Sequence, residues 1–175
     1  PSGKRTVEMK ILSTDGDIAS ATLTSNEYMD YLHLARIDGK WQILNVLWEF
    51  RSDDLRDLTP EETLRIEEPL RDYVEGWYDK DADRVARGLH PNLAKRSLHA
   101  DKPGNLDQYT RSSLLDVVGP YGGPGGPGRI FEMTVLGVKN KIASVRLVSN
   151  VFVDHVHLVR TGGQWKILNV LWKWK

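Results

Sequence analysis

The stretch Trp41-Gln-Ile-Leu-Asn-Val-Leu-Trp48 returns later in the chain as Trp165-Lys-Ile-Leu-Asn-Val-Leu-Trp172. Outward from this pair, residues 6–50 align with 130–174 at a constant offset of 124 without a gap, and 21 of 45 positions are identical. Ile18-Ala-Ser20 matches Ile142-Ala-Ser144, and Ser25-Asn26 matches Ser149-Asn150. Asp30, His33, Leu34 and Arg36 match Asp154, His157, Leu158 and Arg160. Self-similarity at one fixed offset is the signature of duplication. The segment between the copies, roughly 52–129, occurs once. The reading is a partial repeat over 1–51, with four strands and no helices of its own, and a complete domain over 60–175. Three origins stay open for the asymmetry: a tandem protein whose first unit lost its front, a first copy that borrows helices from another chain, or a first copy that serves as an extra sheet.

Each copy reads as four strands, at about 5–13, 17–25, 27–37 and 40–49 and again at 129–138, 141–149, 151–160 and 164–173. Val, Ile, Leu, Phe and Trp fill them, as suits a pleated, half-buried surface. Asp15-Gly16, Asp38-Gly39 and Gly162-Gly163 fall where tight hairpins need positive φ. Alternation is weak because both faces are apolar: Phe152, Asp154, Val156 and Leu158 on one, Val153, His155, His157 and Val159 on the other. An antiparallel sheet of that kind is covered on both sides. Helices would cover one face; a second sheet or subunit would cover the other, giving a dimer or a pseudo-dimer of the two copies.

The unique segment reads as helical. Thr59-Pro60-Glu61-Glu62 is a helix start, with a capping hydroxyl, a proline in the first turn and acids at the positive end of the dipole. Leu64, Ile66, Leu70, Tyr73, Val74 and Trp77 form a helical stripe, within which Pro69 is expected to kink or split the helix. Asp81 caps a short helix ending before Pro91, Leu93–Ala100 reads as a short strand, and Thr110 starts a helix over 110–118. Helices followed by a curved sheet make an α+β fold.

Composition excludes more than it selects. Lys plus Arg and Asp plus Glu both number 24, for a formal net charge of zero, so neither nucleic acid nor a membrane surface is an expected partner. With no cysteine, disulfides and thiolate chemistry are excluded. No apolar run approaches the roughly 20 residues of a membrane helix. No targeting segment is visible and the cytoplasm is the default compartment.

Tyr73-Val-Glu-Gly-Trp-Tyr78, Asp81-Ala-Asp83 and Leu89-His-Pro-Asn-Leu-Ala-Lys-Arg96 resemble the opening of the "putative lumazine-binding" family; Asp154-His-Val-His-Leu-Val-Arg160 and Trp165–Trp172 resemble its ending. That family belongs to the nuclear transport factor 2-like superfamily, with a cystatin-like cone fold. The resemblance implies N-terminal helices packed into a curved antiparallel sheet, a pocket between them, and self-association through the outer sheet face, by domain swapping if the first copy borrows its helices. Superfamily relatives include isomerases, dehydratases, cyclases and non-catalytic binders, and fold alone does not choose among them.

Asp154 is the leading candidate for chemistry. It alternates with Phe152 and Val156, and a carboxylate on an apolar wall is costly unless paired; its pKa would rise toward that of a general base. Asn169, between Ile167 and Leu171, is expected on the same wall, and an Asp154–Asn169 hydrogen bond is the structural alternative. Tyr73, Trp77, Tyr78 and His90 are expected at the pocket mouth, although a helical aromatic stripe is ordinarily core. His155 and His157 share one strand face, but two nitrogens alone do not make a metal site, and both are expected as partly exposed interface residues. Arg96 and His99 are expected in solvent. Gly119–Gly128 lacks the strand, lysine and hydroxyl of a phosphate loop and reads as a flexible loop. The expected function is small-molecule binding by Tyr73, Trp77, His90, Phe152 and Asn169, without metal or cofactor. The alternatives are an isomerase, dehydratase or cyclase using Asp154 with a tyrosine or histidine, or a structural dimerisation module.

Overall fold

Two antiparallel meanders of the same design lie back to back in the computed structural model, which describes residues 6–51, 58–99, 102, 104–126 and 128–175. The first is a four-stranded sheet of β1 (Val7–Asp15), β2 (Ile18–Ser25), β3 (Tyr28–Ile37) and β4 (Lys40–Phe50). Then come α1 (Pro60–Asp79), α2 (Ala82–Gly88), β5 (Leu89–Leu98), β6 (Leu106–Tyr109) and α3 (Arg111–Tyr121). The second meander is β7 (Phe131–Lys139), β8 (Ile142–Ser149), β9 (Phe152–Thr161) and β10 (Gln164–Trp174). It joins β5 and β6 in a six-stranded sheet of order β6-β5-β10-β9-β8-β7. Residues 1–5 of the expected partial repeat and Ala100 at the end of the expected short strand lie outside the described residues.

The local signals act as the sequence implies. Thr59 Oγ1 accepts from the Glu62 N–H (3.2 Å), Asp81 Oδ1 from the Arg84 N–H (2.9 Å), and Thr110 forms a capping box with Ser113. Such caps contribute about 1 kcal/mol each. The β3–β4 and β9–β10 turns place Asp38, Gly39, Gly162 and Gly163 at positive φ, the geometry of hairpins that follow the strand twist.

Four features depart from the sequence reading. α1 runs through Pro69 without a break. Pro69 is buried where the chain at Gly88 crosses the helix so closely that a Cβ there would lie 2.3 Å from the Pro69 carbonyl oxygen. Tertiary packing thus offsets the missing hydrogen bond. β5 is longer than expected and pairs parallel with β10, adding one parallel ladder to an otherwise antiparallel sheet. β6 was not foreseen, and α3 continues through Pro120 to Tyr121.

The main core lies between the helices and the inner face of the six-stranded sheet, where Ile66, Leu70, Val74, Val156, Leu158 and Ile167 are completely buried. Each such side chain contributes about 2 kcal/mol by leaving water. The outer face is covered by the four-stranded sheet. Ile18, Ala35 and Leu171 meet in one small cluster across that seam, and Tyr31, Leu47 and Ile142 in another. The chain is therefore a pseudo-dimer of its own two copies, the second of the two arrangements that sheet patterning allows. No described helix is long and apolar enough to cross a membrane.

Candidate functional site

Three strands and one helix bring a polar cluster together between α1 and the inner face of the six-stranded sheet. On α1, Tyr73 follows Ile66 and Leu70 on the buried stripe. On β5, Leu93, Lys95 and Ser97 alternate inward, and all three are buried. On β9, Phe152, Asp154 and Val156 share the inner face, and Trp172 of β10 is the cross-strand partner of Asp154. Lys95 Nζ donates to Tyr73 Oη (2.8 Å) and pairs with Asp154 Oδ1 (3.2 Å). The same ammonium sits 4.5 Å from the Trp172 ring centre, with the Tyr73 and Phe152 rings at 5.5 and 5.9 Å. Aromatic faces supply negative potential to a cation cut off from water.

Burial governs the titration of this cluster. It pushes the Asp154 carboxyl up, against the pull of the Lys95 ammonium. It pushes the Lys95 amine down, against the Asp154 charge. The Tyr73 phenol goes well up, through burial and then the nearby carboxylate. Two charges removed from water are stable only when paired and hydrogen-bonded. Although the Tyr73 hydroxyl stands close enough to act on the Asp154 carboxyl, Asp154 Oδ2 and Trp172 Nε1 are buried with no protein atom at hydrogen-bond distance. One is an acceptor and the other a donor, and they sit on directly paired residues of one sheet face. At the rim, a cleft of ≈ 330 Å³ is lined by Ser97, Tyr109 and Trp172 from the complete copy and by Asp17 and Ile18 from the partial one.

The structure gathers some of the expected residues and separates others. Asp154, Tyr73 and Phe152 meet at Lys95. Trp77 packs half-buried on the core. Tyr78 is buried, with its hydroxyl given to the Ile130 carbonyl (2.8 Å). His90 sits at the start of β5, where Nδ1 accepts from the Asn92 N–H (3.1 Å). Asn169 does not share the Asp154 wall. A bulge at Leu168 offsets the register, so Ile167 opposes Leu158 on the inner face while Asn169 opposes His157 on the outer one. The carboxylate finds Lys95 instead. Lys95 was missed, although a strand reading of Leu93-Ala-Lys95-Arg-Ser97 places it on the inward side by simple alternation.

The outer-face histidines are also corrected. His155 and His157 are completely buried, because the first copy's sheet covers them. His33 stacks on His157 with ring centres 3.5 Å apart. His155 Nδ1 hydrogen-bonds Ser20 Oγ (2.7 Å), and its Nε2 lies 2.8 Å from Asp15 Oδ2. Asp15 also accepts a fork from Arg146, at 2.7 and 2.6 Å. That pairing holds the Asp15 carboxyl at about 2. Arg96 is not a solvated side chain: it reaches across the seam to the side chain of Asn45. Among the described residues no group of three or more His, Asp or Glu could hold a metal ion. Within the Gly/Pro stretch, the Gly123 N–H bonds to the Trp77 carbonyl (2.8 Å) and Asn150 Nδ2 to the Gly128 carbonyl (2.9 Å).

The profile of the family described as "Putative lumazine-binding" matches residues 2–49 and 61–173, both copies together. The chain belongs to this putative lumazine-binding family. Its fold is also that of solved nuclear-transport-factor-2-like proteins. One of unknown function from Shewanella baltica is 20% identical with a TM-score of 0.58, covering 66% of this chain and 94% of its own. Another from Silicibacter pomeroyi is 15% identical with a TM-score of 0.57, covering 66% and 97%. A ketosteroid isomerase-like protein from Erwinia carotovora atroseptica is 14% identical with a TM-score of 0.50, covering 66% and 98%. At such identities the likeness is one of fold. A comparison with curated proteins finds no match. For this member of the putative lumazine-binding family, the fold is thus established.

Proposed function

We propose that the complete copy binds a small, flat, polar molecule between its helices and sheet, against Lys95, Asp154 and Trp172. The observation that carries this reading is the pair of buried, unpartnered atoms, Asp154 Oδ2 and Trp172 Nε1, on directly paired residues. Unsatisfied polar atoms in a core cost about 1–3 kcal/mol each. A ligand edge with a donor beside an acceptor satisfies both at once. A heterocycle with adjacent ring N–H and carbonyl groups has that edge, and lumazine, from which the family takes its description, is of this kind. Both atoms are shut from solvent, so entry turns the Trp172 indole from its place over Lys95 toward the rim cleft that it already lines.

Native mass spectrometry of the purified chain, alone and after incubation with lumazine, tests this. The expected result is an added small-molecule mass, equal to that of lumazine in the incubated sample, that leaves on activation and is lost in Asp154→Asn and Trp172→Phe. A chain that takes up nothing in either condition removes the proposal.

A second reading is proton-transfer catalysis, favoured by the burial that pushes both the Asp154 and Tyr73 acids up. Binding is the better supported of the two, because Asp154 Oδ1 is already held by the Lys95 ammonium, which opposes a general-base role. An Asp154→Asn variant that binds ligand but loses turnover would favour catalysis instead.

A further inference from the structure

The open face of the four-stranded sheet repeats, position for position, the face that the helices cover in the other copy. Ile43 and Val46 are 53% and 49% exposed, whereas their counterparts Ile167 and Val170 are completely buried. Trp48, the counterpart of Trp172, is 51% exposed. A contiguous apolar face of this kind marks an interaction surface.

Two polar details and one edge say what fits it. In the complete copy, Glu62 of α1 accepts from Trp165 Nε1 (2.8 Å) and pairs with Arg160 (3.2 Å), whose guanidinium lies 5.8 Å over the Trp165 ring. The partial copy keeps the same pair, with Arg36 at 5.9 Å over Trp41, but Arg36 turns to Asp17 and Trp41 stands 45% exposed. At the other end, Asp154 has Lys95. Its counterpart Asp30 is half-buried, and burial raises its carboxyl with no cation to offset it among the described residues. Finally, β4 is the edge strand of its sheet, whereas its counterpart β10 carries β5, the strand of Lys95, in parallel.

We propose that this face docks a second front half of the same fold, entering ahead of Thr6 as residues 60–121 enter ahead of Phe131. The first helix of that segment sets a carboxylate on Trp41 and Arg36. Its strand pairs parallel with the free edge of β4 and sets an amine on Asp30. The complementarity is electrostatic at both ends and apolar between them, so a helical segment without an acid at its start and a following basic strand does not fit.

The test fuses a copy of residues 58–128 ahead of Thr6 in the full chain and follows amide exchange along Ile43–Phe50 together with tryptophan emission. Docking slows exchange there at least about tenfold and shifts the emission to shorter wavelength. Replacing the added copy's counterpart of Lys95 by methionine, which leaves the original cluster intact, reverses most of that gain. Unchanged exchange at β4 overturns the proposal, whether the added segment stays unfolded or displaces residues 60–121 from β10. An unmodified chain that sediments as a dimer with β4 already protected assigns the face to a second copy and overturns it equally.

Discussion

His33 and His157 occupy equivalent positions in the two copies, and their rings stack at 3.5 Å in the middle of the seam between the sheets. Both are completely buried. His33 Nε2 and both ring nitrogens of His157 have no hydrogen-bond partner. His33 Nδ1 hydrogen-bonds the Asn45 side chain (3.1 Å), and a proton on either ring would bring a charge into a buried interface facing the other ring, His155 and Arg96.

Acid should therefore open the seam. Burial, then the neighbouring His155, lowers His157 from 6.5 to about 3. Burial, then His157, His155 and Arg96, lowers His33 well below 6.5. Between 6.5 and these lower values the unfolded chain binds protons that the folded chain refuses, so stability falls as pH falls. The loss approaches about 1.4 kcal/mol per pH unit for each histidine. The urea midpoint should drop from pH 7.5 to 5.0, and His157→Phe should flatten that slope. A midpoint independent of pH over this range would contradict it. Below about pH 4 a further loss sets in as Asp15, held at about 2 by Arg146 and His155, is protonated first in the unfolded chain.

Lys95→Met leaves a buried carboxylate without its cation. Removing one partner of such a pair costs about 3–5 kcal/mol. Adding Asp154→Leu should restore most of it, because two apolar side chains of similar size replace the whole pair. Denaturant unfolding of the two single variants and the double variant measures the coupling; additive losses would show that the pair is not the unit.

Asp15→Ala removes three charge-assisted contacts from one carboxylate, two to Arg146 and one to His155. A loss of about 2–3 kcal/mol is expected from a group hydrogen-bonded in this way. It should appear as faster amide exchange in β1 and β2, with the helices of the complete copy unaffected. Equal loosening of α1 would place the effect elsewhere.

Gly137 touches the seam from the other side. A Cβ there would lie 2.6 Å from Tyr31 Oη, and Tyr31 is buried. Gly137→Ala should cost about 1–3 kcal/mol through overpacking. Tyr31→Phe, which removes the offending oxygen, should relieve most of the cost. Melting temperatures of the four combinations decide this; an equal loss in both backgrounds would mean strain in the β7 backbone instead.

Much of this architecture is legible in the sequence because it rests on local signals. The hairpin glycines and the caps at Thr59, Asp81 and Thr110 each act within a few residues, and the repeat is read by direct comparison of the two copies. The site is less legible because its partners meet through register. A single extra residue at Leu168 moves Asn169 to the outer face, and no spacing rule announces a bulge. Lys95 comes from a strand whose parallel pairing with β10 is a tertiary event. Asp154 was placed correctly by alternation, but its partner lies 59 residues away. The histidines are completely buried rather than partly exposed, because the pattern along β9 signals a covered outer face but not how closely the other copy's sheet packs on it.

The seam joins two sheets within one polypeptide, and this changes how it answers to concentration. Two separate chains meeting through such faces would come apart on dilution, whereas tethered faces meet at a fixed effective concentration. Tethering also frees the two sides from mirroring each other. In a symmetric dimer every contact occurs twice, so a change must suit both of its appearances. Here Asp15 grips Arg146 and His155, while the counterparts of these three residues are Lys139, Thr22 and Tyr31. The clasp on one side is thus built from residue types that the other side does not repeat, a divergence that the symmetry of an identical-chain dimer would forbid.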